Sequence, residues 1–269
     1  MDCFLLLNEN DGMIRKYFAL LIFLMLAVPV LSQTTIIITT SGTGYSNQSW
    51  RYTGEGKPLD EPTIKKYWNE DKYITSAAYT SHGWFFAMSK GVKWTNQSYK
   101  YSSSWPDAYV QTQKEKGYMI TTLASSNSNW FVVTSTNTGI TDQQICAAPW
   151  STLKEWIRQW WSKDYYITSI ACNNNLWTVV MSKISGYTDQ SYMWASSADD
   201  IATKIKNYWD KGYIVTVCEY GGGEFFCIMS KTSTSSSADQ SRFIKSSENP
   251  TNFIKEAWDN EWSITYIGG

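Results

Sequence analysis

The strongest constraint on this chain is that it repeats itself. Between Trp150 and Trp194 the sequence spells one helix and three strands: Ser151 to Trp161 with apolar residues at helical intervals, then Tyr166 to Cys172, Trp177 to Ser182 and Asp189 to Trp194. Similar words recur on either side. Gln48, Gln97, Gln143, Gln190 and Gln240 lie 49, 46, 47 and 50 residues apart, and the residues that open each first strand, Tyr73, Tyr118, Tyr166, Tyr213 and Trp262, lie 45, 48, 47 and 49 apart. Self-similarity at a period of roughly 20–50 residues marks stacked units, each too small to bury its own apolar face. The repeat therefore sets the domain count, and the length of 269 residues does not.

In chain order the pattern opens with a second strand, Thr35 to Thr40, and a third, Gly44 to Tyr52. A helix follows from Asp60 and Pro62 through Ile64, Tyr67 and Trp68; Asp is a good N-cap, and Pro is tolerated in a first turn whose N–H groups have no partner. Strands then start at Tyr73, Trp84 and Asn96. The helix after Ser104-Trp-Pro106 has a weak apolar face, because Gln113 and Lys114 stand where Trp68 and Trp161 sit in other units. Strands from Tyr118, Trp130 and Asp142 lead to the central helix, where Thr152 and Glu155 have capping-box spacing. Ile201, Ile205, Tyr208 and Trp209 stripe the fourth helix. Its strands start at Tyr213, Phe225 and Asp239, and Asn249-Pro250 caps a fifth helix carrying Phe253, Ala257 and Trp258. The last element, Trp262 to Ile267, is a first strand.

The N-terminal part thus lacks the first strand that the C-terminal part has spare. An open solenoid would end in polar caps, whereas a closed ring removes exposed sheet edges. The predicted fold class is α+β: a closed five-repeat αβ-propeller, each unit three strands plus one helix, closed by the N-terminal strands two and three with the C-terminal strand one. A five-bladed β-propeller with short external helices is the alternative. Apolar residues on both faces of the strands, as in Val179, Val180 and Met181, imply a sheet covered on both sides.

Residues 1–32 read as a secretory signal. A basic start at Met13 to Lys16 precedes an apolar run from Phe18 to Leu31, shorter than the ~20 residues of a membrane span, and small residues around Ser32 suit cleavage there. The acidic lead from Asp2 to Asp11 makes Met13 a candidate start. Residues 33–269 are then a single exported ring domain, secreted or periplasmic, with no stable membrane span. Removing residues 1–32 leaves 21 residues of each charge, and a neutral chain disfavours nucleic acid. Cys146, Cys172, Cys218 and Cys227 lack zinc spacing; export permits a disulfide, but their places inside strands of different repeats favour packing as small apolar side chains. No metal or cofactor is expected.

The run from Trp209 to Thr216, with Gly212, Tyr213 and Ile214, backed by a Trp or Phe strand and an Asp-Gln-Ser-Tyr strand, resembles an uncharacterised repeat region that follows the kinase domain of plant casein-kinase-like proteins and also occurs in bacterial proteins. The likeness spans most of residues 35–269. It implies architecture alone, since no kinase motif is present. By element order only, the chain is also similar to the pentein-type αβ-propeller.

The recurring Gln is the sharpest polar feature. Asn47, Asn96, Asp142, Asp189 and Asp239 before it can close turns, but a turn does not require Gln. Strand alternation sets Gln48 with Trp50 and Tyr52, Gln97 with Tyr99 and Tyr101, and Gln190 with Tyr192 and Trp194 on one face. The pattern lapses at Ile145 and Arg242. One reading has each amide bonding the backbone of the adjoining repeat, since identical recurrence is what packing between units requires. The other makes Gln48, Trp50, Gln97, Tyr99, Gln143, Gln190, Tyr192 and Gln240 a polar aromatic surface for a sugar or peptide. A ligand site would more naturally use what differs between units. The turns at Ser81-His-Gly83, Asn127 to Asn129, Asn173 to Asn175 and Gly221 to Gly223 do differ. His82, the single histidine, has no recognisable nucleophile beside it. Gly221 to Gly223 lacks the Lys-Ser or Lys-Thr of a phosphate loop, and the sequons at Asn47 and Asn96 coincide with the Gln word. The expected function is an exported, non-enzymatic binding or scaffold protein that presents turns and aromatics to a protein or glycan partner; a hydrolase using acids and His82 is the alternative.

Overall fold

The computed structural model describes residues 34–233 and 239–269. The expected signal segment, residues 1–32, lies outside the described residues. Among the described residues, five antiparallel three-stranded sheets and five helices make an α+β repeat fold. Sheet I holds β2 (Ser46–Tyr52), β4 (Gly83–Lys90) and β3 (Tyr73–Thr80); sheet II holds β5 (Gln97–Ser102), β7 (Trp130–Ser135) and β6 (Met119–Ser125). In sheet III these are β8 (Ile140–Ala148), β10 (Leu176–Ile184) and β9 (Tyr166–Asn173), and in sheet IV β11 (Tyr187–Ala195), β13 (Glu224–Thr232) and β12 (Ile214–Gly221). Sheet V joins β14 (Gln240–Lys245) and β15 (Ser263–Gly268) to β1 (Thr35–Thr40). The second strand is always central, between a Gln-bearing strand and a first strand. No single sheet closes into a barrel.

This grouping corrects two expectations. The spatial unit is Gln strand, helix, first strand, second strand, so each Gln strand belongs with the elements that follow it. Accordingly β1 alone, not strands two and three together, completes sheet V, paired with β14 from Thr35↔Lys245 to Thr40↔Gln240 and with β15 from Ile36↔Gly268 to Thr40↔Ser263. The pair β2–β4 runs from Ser46↔Lys90 to Tyr52↔Phe85. Periodicity reports which way side chains alternate but not which strand is the partner. The chain changes sheets after β1 at Gly42 and Gly44, with φ of 63° and 77°. There a Cβ on Gly91, which follows β4, would collide with the Gly44 carbonyl, so glycine lets the two loops close up.

The helices are α1 (Glu61–Trp68), α2 (Asp107–Glu115), α3 (Trp150–Trp161), α4 (Ala198–Trp209) and α5 (Thr251–Asp259). All five stop alike: a left-handed residue, Asp71, Gly117, Asp164, Gly212 or Glu261, turns the chain, and the next N–H returns to a helix carbonyl, as Tyr118 N–H does to Gln113 O. Asp60 caps α1 by accepting from Thr63 N–H at 3.2 Å. The expected Thr152–Glu155 box is not a cap. Helix α3 starts earlier, at Trp150, whose ring packs at 5.0 Å from Tyr192 and 5.1 Å from Phe226, and that burial fixes the start.

Each core is shared by two consecutive sheets. Sheets I and II enclose Phe86 and Phe131, II and III Leu123 and Val180, III and IV Val179 and Phe226, IV and V Val215 and Ile38, and V and I Ile264 and Phe85. One helix covers each junction: α1 contributes Ile64, α3 Leu153 and Ile157, α4 Ile201 and Ile205, α5 Ile254. Helix α2 buries none of its residues. The first strands lie side by side, β3 with β6, β6 with β9, β9 with β12, β12 with β15 and β15 with β3. Leu123 N–H donates to Ser169 Oγ at 3.0 Å, and Ile267 N–H to Ser76 Oγ at 2.7 Å. The cysteine expectation fails at Cys218 and Cys227. They belong to one hairpin, stand opposite each other on β12 and β13 with Cα atoms 4.0 Å apart, and form a disulfide.

Candidate functional site

The five glutamines all reach into the neighbouring sheet. Gln97 Oε1 accepts from Ile74 N–H at 2.8 Å and its Nε2 donates to Ile74 O at 3.0 Å, so one side chain bonds both backbone groups of a residue on the first strand of sheet I. Its second lone pair takes the Trp68 indole N–H at 3.1 Å, and its second amide hydrogen goes to Ser135 Oγ at 3.2 Å. Gln190 repeats this on Ile167, Trp161 and Ser230, Gln240 on Val215, Trp209 and Thr40, and Gln48 on Ile264, Trp258 and Ser89. An amide has two donor and two acceptor positions, so these four have none left for a ligand. The hydroxyl ending each second strand, at Ser89, Ser135, Ser182, Ser230 or Thr40, is a partner that sequence reasoning passed over. Its signal was there, since a Ser or Thr ends every second-strand word.

The aromatics of the Gln strands point into the junctions. Trp50 and Tyr52 pack on the Phe85 core, Tyr99 packs beside Phe131 and donates to Glu61 Oε2 at 2.6 Å, and Tyr192 stacks on Trp161 at 5.6 Å. The structure therefore brings the candidate Gln and aromatic residues together pairwise between sheets, not on one open surface.

The junction of sheets II and III departs from the rule. Three residues before its left-handed turn, α2 has Lys114 where the other helices have Trp68, Trp161, Trp209 and Trp258. Two residues after Gln143, Ile145 replaces the ring found at Trp50, Tyr99 and Tyr192. Gln143 still clasps Ile120, accepting its N–H at 2.7 Å and donating to its O at 2.8 Å, and donates to Ser182 Oγ at 2.9 Å. Among the described residues no indole fills the second lone pair of its Oε1.

Loss of two rings leaves a groove of about 660 Å³ between α2, β8 and α3, within the ~300–1,000 Å³ typical of ligand clefts. Trp105, Tyr118, Trp156 and Trp160 line it, with the amides of Gln111, Gln144 and Gln159. Lys114 Nζ does not fill the gap, being drawn to Asp142 Oδ1 at 3.0 Å and Gln143 O at 3.2 Å. Burial works against the Asp142 charge, but hydrogen bonds from the Tyr165 hydroxyl, Lys114 and Gln144 outweigh it and bring this carboxyl down to about 2.

Two further places hold reactive groups. Thr75, Thr121, Thr168, Thr216 and Thr265, one per first strand, line a cavity of about 110 Å³, and their hydroxyls bond within the chain, as Thr168 does to Ser182 at 2.6 Å. Nearby, Glu219 accepts from Tyr266 OH at 3.1 Å and Gly269 N–H at 3.2 Å, and full burial pushes its pKa well above the usual carboxylate range. Burial, then the Glu219 charge, push the free Cys172 thiol up to about 12, away from the thiolate that a nucleophile needs. His82 Nδ1 meets the hydroxyls of Thr35 at 3.0 Å and Ser81 at 3.1 Å, and burial lowers its pKa. Among the described residues no cluster of His, Cys, Asp and Glu could hold a metal ion, and no helix is long and apolar enough to cross a membrane.

A stretch of 97 residues is 30% identical to Casein kinase 1-like protein HD16 of Oryza sativa subsp. japonica, covering 36% of this chain and 13% of that protein. No solved structure matches the chain. The family model described as a domain of unknown function, DUF7477, matches residues 22–151 and again residues 145–268. Two consecutive matches of that model span the repeats, and the chain belongs to the DUF7477 family.

Proposed function

We propose that this protein is an exported, non-enzymatic binding scaffold, a closed five-unit αβ ring that holds its partner in the groove between α2 and α3. Closure is supported by the order of the clasps: Gln97, Gln143, Gln190, Gln240 and Gln48 tie sheet I to II, II to III, III to IV, IV to V and V back to I. That cycle is similar to the pentein-type αβ-propeller, and β1 provides the strand that joins the chain's two ends. Export is supported by the apolar run from Phe18 to Leu31.

The observation that carries binding is the single junction where the Trp wedge is missing. Four equivalent seams are filled, so their recurrence serves the scaffold; the exception leaves ring faces and amides in a cleft open to solvent. A hydrolase reading has less support: His82 Nδ1 meets the Thr35 and Ser81 hydroxyls, but among the described residues no carboxylate bonds the ring to orient it as a base, and Cys172 is held as a thiol.

The test is Lys114→Trp, which restores the wedge and gives Gln143 Oε1 its indole. Purified protein is applied to arrays of immobilised glycans and proteins, with His82→Ala alongside. Lys114→Trp is expected to lose the partners that wild type retains, while His82→Ala retains them. Binding that survives Lys114→Trp overturns the groove, and turnover on a substrate panel that disappears in His82→Ala overturns the non-enzymatic reading.

A further inference from the structure

We infer that the groove takes a neutral oligosaccharide, a deepening that rests on the reading of the groove as the partner site. The missing group defines what must be replaced: a flat apolar face and one hydrogen-bond donor, the indole that elsewhere lies beside a ring and donates to the clasp. A pyranose provides both. Its axial C–H face packs on aromatic rings such as Trp156 and Trp160, which stand 6.3 Å apart on successive turns of α3. One hydroxyl donates to Gln143 Oε1 in place of the indole, and others match the Gln111 and Gln159 amides, which both donate and accept.

The charges favour a neutral ligand. Lys114 is paired with Asp142 at 3.0 Å, and the other two charged residues of the lining, Lys163 and Asp107, are of opposite sign, so the groove has no net positive charge for a uronate or sulfate. β8 is an end strand of its sheet, so an extended peptide is the competing occupant, but the Gln143 carbonyl on β8 is already taken by Lys114 Nζ at 3.2 Å.

Intrinsic tryptophan fluorescence is titrated with neutral gluco-, manno- and galacto-oligosaccharides, uronate-bearing oligosaccharides and a tryptophan-containing peptide, in low and high salt. A neutral oligosaccharide is expected to bind with salt-independent affinity. Trp156→Ala and Trp160→Ala should each weaken it by about ten-fold or more, as truncating a tryptophan anchor does, and Lys114→Trp should abolish it. Near-native circular dichroism of each variant secures the comparison. Absence of neutral-sugar binding up to millimolar concentration, or preference for the uronates or the peptide, overturns the inference; if Lys114→Trp still removes the array partner or the peptide, the groove reading survives without it. Sugar binding that persists in Lys114→Trp removes both.

Discussion

Replacing Gln190 by Met tests the clasp most directly. The side chain keeps its length and unbranched shape, is only 9% exposed, and loses both atoms that hold Ile167. The Ile167 N–H and O, bonded at 2.7 Å and 2.9 Å, then lie in a fully buried residue with no route to water. An unsatisfied buried group costs about 1–3 kcal/mol, so the pair predicts a loss of roughly 2–6 kcal/mol. The Trp161 indole is half-buried and can turn to solvent, so it adds little. Urea unfolding followed by fluorescence and by circular dichroism measures the loss, with the two traces coincident and the slope unchanged. Hydrogen exchange at the Ile167 amide should accelerate by the corresponding factor. Gln48→Met gives the complementary reading, because its clasp on Ile264 links the two ends of the chain. In a closed ring it lowers the midpoint of the one global transition; in an open stack it frees β15 in a separate early phase. A loss below about 0.5 kcal/mol for Gln190→Met, where surface changes fall, would refute the structural role of the amide.

Two predictions concern pH. Glu219 has a folded pKa raised by burial, so its contribution is complete below the unfolded value of about 4.3 and is lost as pH rises toward the folded one. Glu219→Gln, which removes the titrating carboxyl and keeps one acceptor oxygen for Tyr266 OH or Gly269 N–H, should therefore flatten the fall in urea midpoint as pH rises above about 4.3, where the unfolded carboxyl titrates; an unchanged pH profile would contradict it. Asp142 has the opposite sign. Its carboxyl is held at about 2, so its stabilisation is present above the unfolded value of about 3.9 and fades as pH falls toward 2. The side chain is 33% exposed and solvent-screened, so Asp142→Asn should cost less than about 1 kcal/mol at pH 7 and progressively less as pH falls through about 2. Unfolding of both proteins across that acid range checks the convergence.

The elements were legible because their signals are local. Helical stripes such as Ile201, Ile205 and Trp209, and alternating words ending in Met-Ser, give the type of each segment whatever its partner. Even the weak point of α2 was visible, since Lys114 breaks a position that is otherwise Trp. Partnership was not legible. Nothing in the run from Gln48 to Tyr52 says that it pairs with Phe85 to Met88 and not with the strand just before it, because alternation is satisfied in either sheet. Cys218 and Cys227 were misassigned for the same reason, a hairpin register being set by the Gly221 to Gly223 turn and not by cysteine spacing. The groove was partly legible: Lys114 and Ile145 both appeared as lapses, but that they face each other across a seam depends on the helix of one unit overlying the strand of the next.

That overlap also explains why the recurring residue is Gln. Adjacent first strands lean together without a continuous ladder, as shown by the isolated bonds Leu123 to Ser169 and Ile267 to Ser76. Each therefore exposes backbone groups along one edge that must be paired. A Gln amide has the same donor and acceptor as a peptide, carried on a flexible arm, so it satisfies one N–H and one C=O without bringing a whole strand to the edge. Glu lacks the donor, and Asn lacks one methylene of reach. The Trp closes the remaining lone pair and adds apolar cover at the seam, so all four positions of the amide are paired in a filled junction. Where Lys114 stands instead, the clasp persists but the cover does not. Stability at that seam then rests on β-strand packing, the Gln143 clasp and the partly buried Tyr109 and Val110 of α2, and the rings of α3 that line the groove are the surface with which this unit differs from its four copies.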